Sequence, residues 1–170
     1  MTIVDGLVYA IEPALMQDGN QRECLHRQAL ALLHGLTGCH SQLHYRPSGA
    51  PFLPDADGVE VSISHCRAAV AAAAMKGKAV GIDVECRRHF SPTLAERVCT
   101  PDEQRAISRS ADAQMAFLQL WTRKEAVLKC LGTGIRGFDS LRSALQRSDV
   151  VVYDIESTLP GVVAAVAVKV

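Results

Sequence analysis

The sequence predicts an α+β fold with mainly antiparallel strand pairing. Runs typical of strands and runs typical of helices are mixed along its 170 residues. Pro and Gly clusters separate these runs and mark the turns. A capped helix start at Thr100, followed by a long helical run, supplies the helical part. A chain of this length fits one domain, or two small halves that share a core.

The first third of the chain is predicted to hold one strand, one helix and one loop. Residues 3–11 form the strand, and Pro13 ends it. Residues 21–36 form the helix, which is expected to stop near Gly35 and Gly38. Residues 46–58 are rich in Pro and Gly and are predicted to be loop or turn.

Three strands are predicted next, over residues 59–64, 68–75 and 79–85. The middle run is continuously apolar and rich in alanine, so its helix propensity leaves a helix as the alternative. The turns on both sides of it favour a strand.

The remaining elements include the strongest helix signals in the chain. Thr100-Pro101-Asp102-Glu103 has an N-cap threonine, a proline at the first helical position and a capping-box glutamate. A long helix follows over residues 113–131, and the chain closes with strands at residues 150–155 and 162–170.

The composition narrows the class of partner. Lys and Arg together number 18, and so do Asp and Glu, so the overall charge gives no case for binding nucleic acid or an anionic membrane. None of the six cysteines forms a C-x-x-C pair, which argues against a zinc site. No secretory leader is recognised, and reduced thiols in a cytoplasmic protein are expected.

Two acidic residues mark the strand predicted at residues 79–85. Asp83 and Glu85 are two positions apart, so both side chains project from the same face, while Ile82 and Val84 point to the core. Two carboxylates this close repel each other unless a cation lies between them, and hard oxygen ligands suit Mg²⁺. The alternative is a solvated strand face with two acids near its end.

The long helix carries a second charged group. Glu125 and Lys129 are i and i+4 neighbours at the edge of its apolar stripe. Lys124 falls inside the stripe, where a cation is costly unless an anionic ligand or a buried carboxylate pairs with it. The alternatives are an ordinary Glu–Lys helix pair and a Lys124 side chain that reaches back to water.

These two segments carry a resemblance to a known family. The strand motif G-I-D-V-E, followed by the helix motif W-T-R-K-E-A-V-L-K, resembles the signature of the 4'-phosphopantetheinyl transferase superfamily, in its surfactin-type branch. V-S-I-S-H over residues 61–65 and G-A-P over residues 49–51 resemble two more segments of that branch. Ala50 replaces the lysine of its Gly-Lys-Pro loop, and the chain is short for the branch.

The resemblance implies a fold, a reaction and partners. The family fold has two pseudo-twofold-related halves with mainly antiparallel sheets and packed helices, here residues 1–78 and 79–170 in one compact unit. The first half is expected to take the 3'-phosphate and adenine of coenzyme A, and the second to carry the Mg²⁺ and catalytic motifs. The reaction moves the phosphopantetheine arm of coenzyme A to a serine of an apo acyl or peptidyl carrier protein. The pseudo-dimeric fold implies a monomer, and no nucleic acid or membrane partner is expected.

The resemblance also implies roles for the acidic residues. Asp83, Glu85 and Glu125 would hold Mg²⁺. Glu125 is the first candidate for the general base that takes the serine proton, and Glu103 is the second. The alternative role of Glu103 is that of a capping-box residue.

The family pattern places the remaining candidates against phosphate or adenine. Lys129 would neutralise the pyrophosphate and the leaving group. Further contacts to coenzyme A are expected from Lys124, Ser64, His65, Arg22, Arg27, Arg46, Gly49 and Pro51. For Lys124 the alternative is pairing with the acids, and for Arg22 and Arg27 it is a solvated surface position.

Two other functions stay open on the sequence. A relative that binds coenzyme A or a carrier protein without catalysis would fit the short ends and Ala50. A structural or interaction domain would leave the same acids and lysines as surface charges.

Overall fold

A computed structural model describes residues 5–15, 20–135 and 137–170. In chain order the elements are β1 (Leu7–Pro13), α1 (Gln21–Thr37), β2 (His44–Tyr45), β3 (Pro51–Phe52), β4 (Val59–His65), β5 (Ala69–Lys76), β6 (Val80–Cys86), α2 (Pro92–Val98), α3 (Pro101–Arg109), α4 (Ala113–Cys130), α5 (Phe138–Ser143), a 3-10 helix (Ala144–Gln146), β7 (Val150–Ile155) and β8 (Val162–Lys169).

Two three-stranded antiparallel sheets form the centre of the protein. The first has the strand order β1-β5-β4, and the second has the order β6-β8-β7. In both sheets the last strand of the set lies between the other two, and a helix intervenes between the first and second strands. The two sets therefore share one topology, and each draws all its strands from one side of residue 78.

The alternation of side chains along the strands divides the core into layers. Even-numbered residues of β6, including Ile82 and Val84, pack with odd-numbered residues of β5 and even-numbered residues of β8 in a cluster between the sheets. Helix α1 covers the other side of β5, and α4 covers the other side of β8. Both β5 and β8 are thus buried on both faces, which explains their continuous runs of small apolar residues.

Strands β4 and β6 join the two sheets. Ser62 and Ser64 of β4 accept hydrogen bonds through their hydroxyl oxygens from the backbone N–H of Ile82 and Val84, at 3.0 and 3.4 Å. The residue numbers of the two partners increase together, from 62 with 82 to 64 with 84. Strands β4 and β6 therefore lie side by side and parallel. This contact sets the ends of both strands next to each other.

The α+β, mainly antiparallel prediction is confirmed. The helix at residues 21–36 and the strand at 150–155 match α1 and β7, and the run at 68–75 is a strand rather than a helix. Part of the strand predicted at residues 3–11 lies outside the described residues.

Five short elements went unpredicted: β2, β3, α2, α5 and the 3-10 helix. Two residues of the predicted loop 46–58 pair with β2 as β3. The short helices α2 and α5 were also missed, because neither is long enough for a helical period to stand out. None of the described helices is long and apolar enough to cross a membrane.

Candidate active site

A glycine brings the strand and the helix of the two charged motifs together. Gly81 faces α4, and a methyl group there would lie 2.1 Å from the carbonyl oxygen of Ala126 and 2.3 Å from the amide nitrogen of Cys130. Only a residue without a side chain lets the backbones approach this closely. Since Asp83 and Glu85 share the face of Gly81, they too are directed toward α4.

A cavity of about 610 Å³ opens at this contact. Its walls come from both halves: the start of α1, the end of β4, the end of β6 and one face of α4. The lining residues are Asn20, Arg22, Glu23, His26, Tyr45, Ile63, Ser64, His65, Asp83, Glu85, Trp121, Glu125 and Lys129.

Asp83 and Lys129 form the centre of this cavity wall. The Lys129 ammonium donates to Asp83 Oδ1 at 2.7 Å and to the carbonyl oxygen of Ile82 at 3.1 Å. The Ser64 hydroxyl donates to the same Oδ1 at 2.7 Å. Three elements thus converge on one carboxylate oxygen. The Lys129 side chain keeps 30% of its surface exposed, so its ammonium can still meet a ligand.

The other two acids, Glu85 and Glu125, face the same cavity, where their ionised forms are disfavoured. Burial, followed by repulsion from Asp83 and Glu85, raises the pKa of Glu125 to about 7, and Lys129 opposes this rise. Burial also raises the pKa of Glu85, whose carboxylate accepts a hydrogen bond from Arg88 at 2.8 Å. The mutual repulsion means that the three carboxylates act on one another within a single site.

The oxygen atoms of these residues suit a divalent cation. Asp83 Oδ2 is buried and has no hydrogen-bond partner among the residues that the structure describes, so nothing in that part of the chain offsets its desolvation. Hard carboxylate oxygens are the ligands that Mg²⁺ takes. No group of three or more His, Cys, Asp or Glu side chains within the described ranges is already arranged to hold a metal. The donor chemistry fits a cation, and Glu85 would have to turn from Arg88 to join it.

Basic side chains form a second wall of the cavity, with Arg22 and His26 on α1 and His65 at the end of β4. Burial, with repulsion from Lys129 and more weakly from Arg22 and His26, lowers the pKa of His65. An anion bound here would relieve that repulsion. His26 Nε2 lies 2.6 Å from the Tyr45 hydroxyl, which ties α1 to the β2–β3 hairpin at the cavity mouth. The cavity thus has an acidic wall and a basic wall, with Lys129 between them.

A second cavity of about 770 Å³ adjoins the first and shares Tyr45, Ile63 and Lys129 with it. Arg46, Gly49 and Pro51 line this second cavity. The Arg46 guanidinium pairs with Glu60 at 3.1 Å and lies over the Phe52 ring.

Comparison with known proteins matches the part of the chain that carries the acids. Residues 79–157 match the family model of the 4'-phosphopantetheinyl transferase superfamily. This part of the chain belongs to that superfamily. The matched segment includes β6 and α4, hence Asp83, Glu85, Glu125 and Lys129. The surfactin-type branch remains a prediction.

Individual relatives of the superfamily agree. The chain is 32% identical over 121 residues to a Haemophilus influenzae protein named "Putative 4'-phosphopantetheinyl transferase", covering 68% of this chain and 51% of the relative. It is 32% identical over 108 residues to the 4'-phosphopantetheinyl transferase HetI of a Nostoc species, covering 59% and 46%. A fatty acid synthase subunit alpha of Candida parapsilosis is 38% identical over 63 residues, covering 35% and 3%. The chain spans about half the length of the first two.

Some residues of the phosphopantetheinyl transferase motifs lie away from the first cavity. The Lys124 side chain is fully buried and donates to Glu103 Oε2 at 2.8 Å and to the carbonyl oxygens of Val98, Leu141 and Arg142. With its ammonium so occupied, Lys124 is not available to a phosphate, and its partner is the partly buried carboxylate of Glu103.

Glu103 itself is placed as a helix cap. Its carboxylate accepts from the Thr100 backbone N–H at 2.7 Å, and the Thr100 hydroxyl accepts from the Glu103 N–H at 3.3 Å. Glu103 does not line the first cavity, so its placement argues against the general-base assignment.

Arg27 lines a separate surface depression with Glu12 and Leu15, because it lies on another side of α1 from Arg22.

Four residues of this superfamily member went unassigned in the sequence although they build the site. His26, Tyr45 and Trp121 line the cavity, and Gly81 allows β6 to approach α4 closely. Gly81 had a readable signal, since a glycine inside a strand marks a close backbone approach. No sequence pattern joins His26 to Tyr45, because only the packing of the hairpin on α1 sets that contact.

Proposed function

We propose that this protein transfers the 4'-phosphopantetheine arm of coenzyme A to a serine hydroxyl of an apo acyl or peptidyl carrier protein, releasing 3',5'-ADP. The observation that carries the proposal is the meeting of three carboxylates with Lys129 in one cavity, within the segment that matches the superfamily. The names of the Haemophilus and Nostoc relatives support it.

The acidic wall supports a requirement for Mg²⁺. Asp83, Glu85 and Glu125 would hold the ion, and the unpaired Oδ2 of Asp83 is the clearest vacancy for a ligand bond. A bound divalent ion neutralises charge on phosphate oxygens and so assists phosphoryl transfer.

The residues of the cavity support a division of labour. The Lys129 ammonium, anchored on Asp83 and partly exposed, would contact the pyrophosphate and the leaving group. Glu125, with its pKa raised to about 7, would take the proton from the serine hydroxyl at neutral pH. Ser64 Oγ already bonds to Asp83, so its chief effect would be to orient that carboxylate.

The basic wall and the second cavity would hold the nucleotide. Arg22 and His65 would bind its 3'-phosphate, since an arginine fork meets phosphate bidentately and an anion would offset the repulsion between His65 and the cations near it. Arg46, Gly49 and Pro51 would lie along the adenine in the second cavity, which lacks the family lysine at Ala50.

The cellular setting belongs to the proposal as well. All six cysteines are free thiols, four of them buried, which suits a cytoplasmic protein. We expect the protein to act as a monomer on a separate carrier protein, with both walls of its cavity coming from one chain.

A second candidate is a coenzyme A or carrier-protein binding function without catalysis. The replacement of the family lysine by Ala50, which lines the second cavity, favours it. In that case the protein would bind coenzyme A and leave every carrier unmodified.

The deciding experiment incubates the protein with Mg²⁺, coenzyme A and a panel of apo carrier proteins, and reads each carrier by intact mass. Addition of the phosphopantetheine mass, lost with a chelator, is the expected result. Asp83→Asn should abolish it, while Glu156→Gln, an exposed acid outside the cavity, should not. Coenzyme A binding by calorimetry with no mass gain on any carrier would establish the second candidate instead.

A further inference from the structure

Two cysteines from different halves of the chain lie beside the cavity and take no part in the proposed reaction. We propose that Cys66 and Cys86 form a reversible disulfide that ties the ends of β4 and β6 together. The linkage would join the residue after His65 to the residue after Glu85, and so would fix the spacing of two strands that line the cavity. The proposal does not rest on the proposed function.

The register of the two strands supports the pairing. Ser62 is bonded to the amide of Ile82, and Ser64 to the amide of Val84, so the strands run in parallel with a constant offset of 20 residues. The same offset sets Cys66 beside Cys86. The Cys66 N–H donates to the carbonyl oxygen of Ala69 at 2.9 Å, so the ladder pattern of β4 and β5 continues through Cys66.

The direction of the side chains agrees with the register. Cys86 has the parity of Ile82 and Val84 and belongs with them to the core cluster between the sheets. Cys66 packs against the same cluster. The Cys86 thiol is close enough to Cys66 to raise its pKa, after the larger effect of burial. Both sulfur atoms therefore point into one place, which is the first requirement for a bridge between two strands.

The chemistry needs an oxidant such as a peroxide. Cys66 is the more exposed thiol, and its sulfur would attack the peroxide, forming an S–O bond and breaking the O–O bond. The Cys86 sulfur would then attack the Cys66 sulfenic acid, forming the S–S bond and releasing water. Two thiols and one hydrogen peroxide thus give one disulfide and two waters.

The burial of Cys66 should make its oxidation slow. Burial raises the pKa of Cys66 to about 11, so little thiolate is present near pH 7. Oxidation should therefore be slow and should require sustained exposure to peroxide. The bond, once formed, would be shielded from solvent by the core cluster around Cys86.

The test uses the folded full-length chain, treated with hydrogen peroxide, then denatured and alkylated. We expect four alkylated thiols instead of six, a peptide containing the Cys66–Cys86 link after digestion, and recovery of all six thiols with a reductant. The oxidised protein should also melt at a higher temperature than the reduced one, because the link constrains the unfolded chain.

Cys66→Ser should abolish the linked peptide and the shift in melting temperature, whereas Cys39→Ser, another partly buried thiol, should keep both. Retention of all six thiols in the oxidised wild type, or a linked peptide joining any other pair, would overturn the proposal. Peptide mapping of the wild type decides the matter even if a variant fails to fold.

Discussion

At Asp83 the two carboxylate oxygens have opposite surroundings. Oδ1 accepts hydrogen bonds from Ser64 and Lys129, while Oδ2 is buried and has no partner in the described part of the chain. A buried polar atom that is left unsatisfied costs stability, and such atoms in folded proteins call for an explanation. The unsatisfied Oδ2 is explained if the site binds a cation only together with its substrate.

The substitution Asp83→Asn tests whether the charge of Asp83 serves the reaction or the stability of the fold. Asparagine keeps an acceptor for the Ser64 hydroxyl but removes the charge that pairs with Lys129 and would attract a cation. We expect kcat for phosphopantetheine transfer to fall at least about 100-fold. The free energy of unfolding should fall by only about 1 kcal/mol, because Lys129 stays partly exposed and keeps its hydrogen bond to the Ile82 carbonyl oxygen. Initial rates and denaturant titration measure the two quantities. Turnover close to that of the wild type would refute the metal assignment.

Glu125 makes the metal-free protein sensitive to pH. Its pKa rises from 4.5 to about 7 on folding, so the folded state binds a proton that the unfolded state has released. Stability is therefore fully present below pH 4.5 and is lost as the pH rises toward 7. Glu125→Gln cannot ionise, so it should be more stable than the wild type at pH 8 by on the order of 1 kcal/mol.

Denaturant titrations in chelator at pH 5 and pH 8 measure this difference. At pH 5 the native Glu125 is mostly protonated, so the variant and the wild type should have similar stability there. A difference that stays constant between the two pH values would contradict the repulsion inferred among the three acids.

The contact between β6 and α4 depends on one missing side chain. Gly81→Ala would force a methyl group against the backbone of Ala126 and Cys130, which cannot move aside as a flexible side chain can. We expect a loss of about 3 kcal/mol in unfolding free energy, and a loss of transfer activity because Asp83 and Lys129 would separate. Thermal or denaturant unfolding measures the first effect.

Gly35 provides the matched control. It lies within α1, and a methyl group there would meet no atom within 4 Å. Gly35→Ala should therefore stabilise the protein by about 0.5–1 kcal/mol, through better helix propensity. Equal effects of the two substitutions would mean that the close approach at Gly81 does not limit the fold.

Lys124 fastens α4 to three neighbouring helices. Its buried ammonium bonds to the end of α2, to Glu103 of α3 and to α5. Glu103→Ala would leave that charge buried without its counter-ion and should cost about 3 kcal/mol or more. Thr100→Ala removes only the N-cap and should cost about 1 kcal/mol. Chemical denaturation of both variants compares the costs, and similar values would show that Glu103 acts only as a cap.

Much of the element pattern and half of the candidate site could be read from the sequence. Alternation and helical periodicity are local signals, so Asp83 and Glu85 were assigned to one face of a strand and Lys124 to the apolar side of a helix. The partner of Lys124, the pairing of His26 with Tyr45 and the position of Arg27 depend on how distant elements pack. Local patterns carry no information about such contacts, and the motif alone suggested a phosphate role for a lysine that the fold uses as an anchor.

At the scale of the molecule, the two halves share one core cluster. It takes residues from β1 and β5 on one side of residue 78 and from β6 and β8 on the other. Separating the halves would expose the inner face of each sheet to water, because the side chains that cover each of these faces come from the other half. We therefore expect residues 1–78 and 79–170, produced separately, to lack the dispersed amide spectrum of a folded protein, and to gain it only when mixed. A folded spectrum from either half alone would show that the cavity is a contact between independent domains rather than a feature of one core.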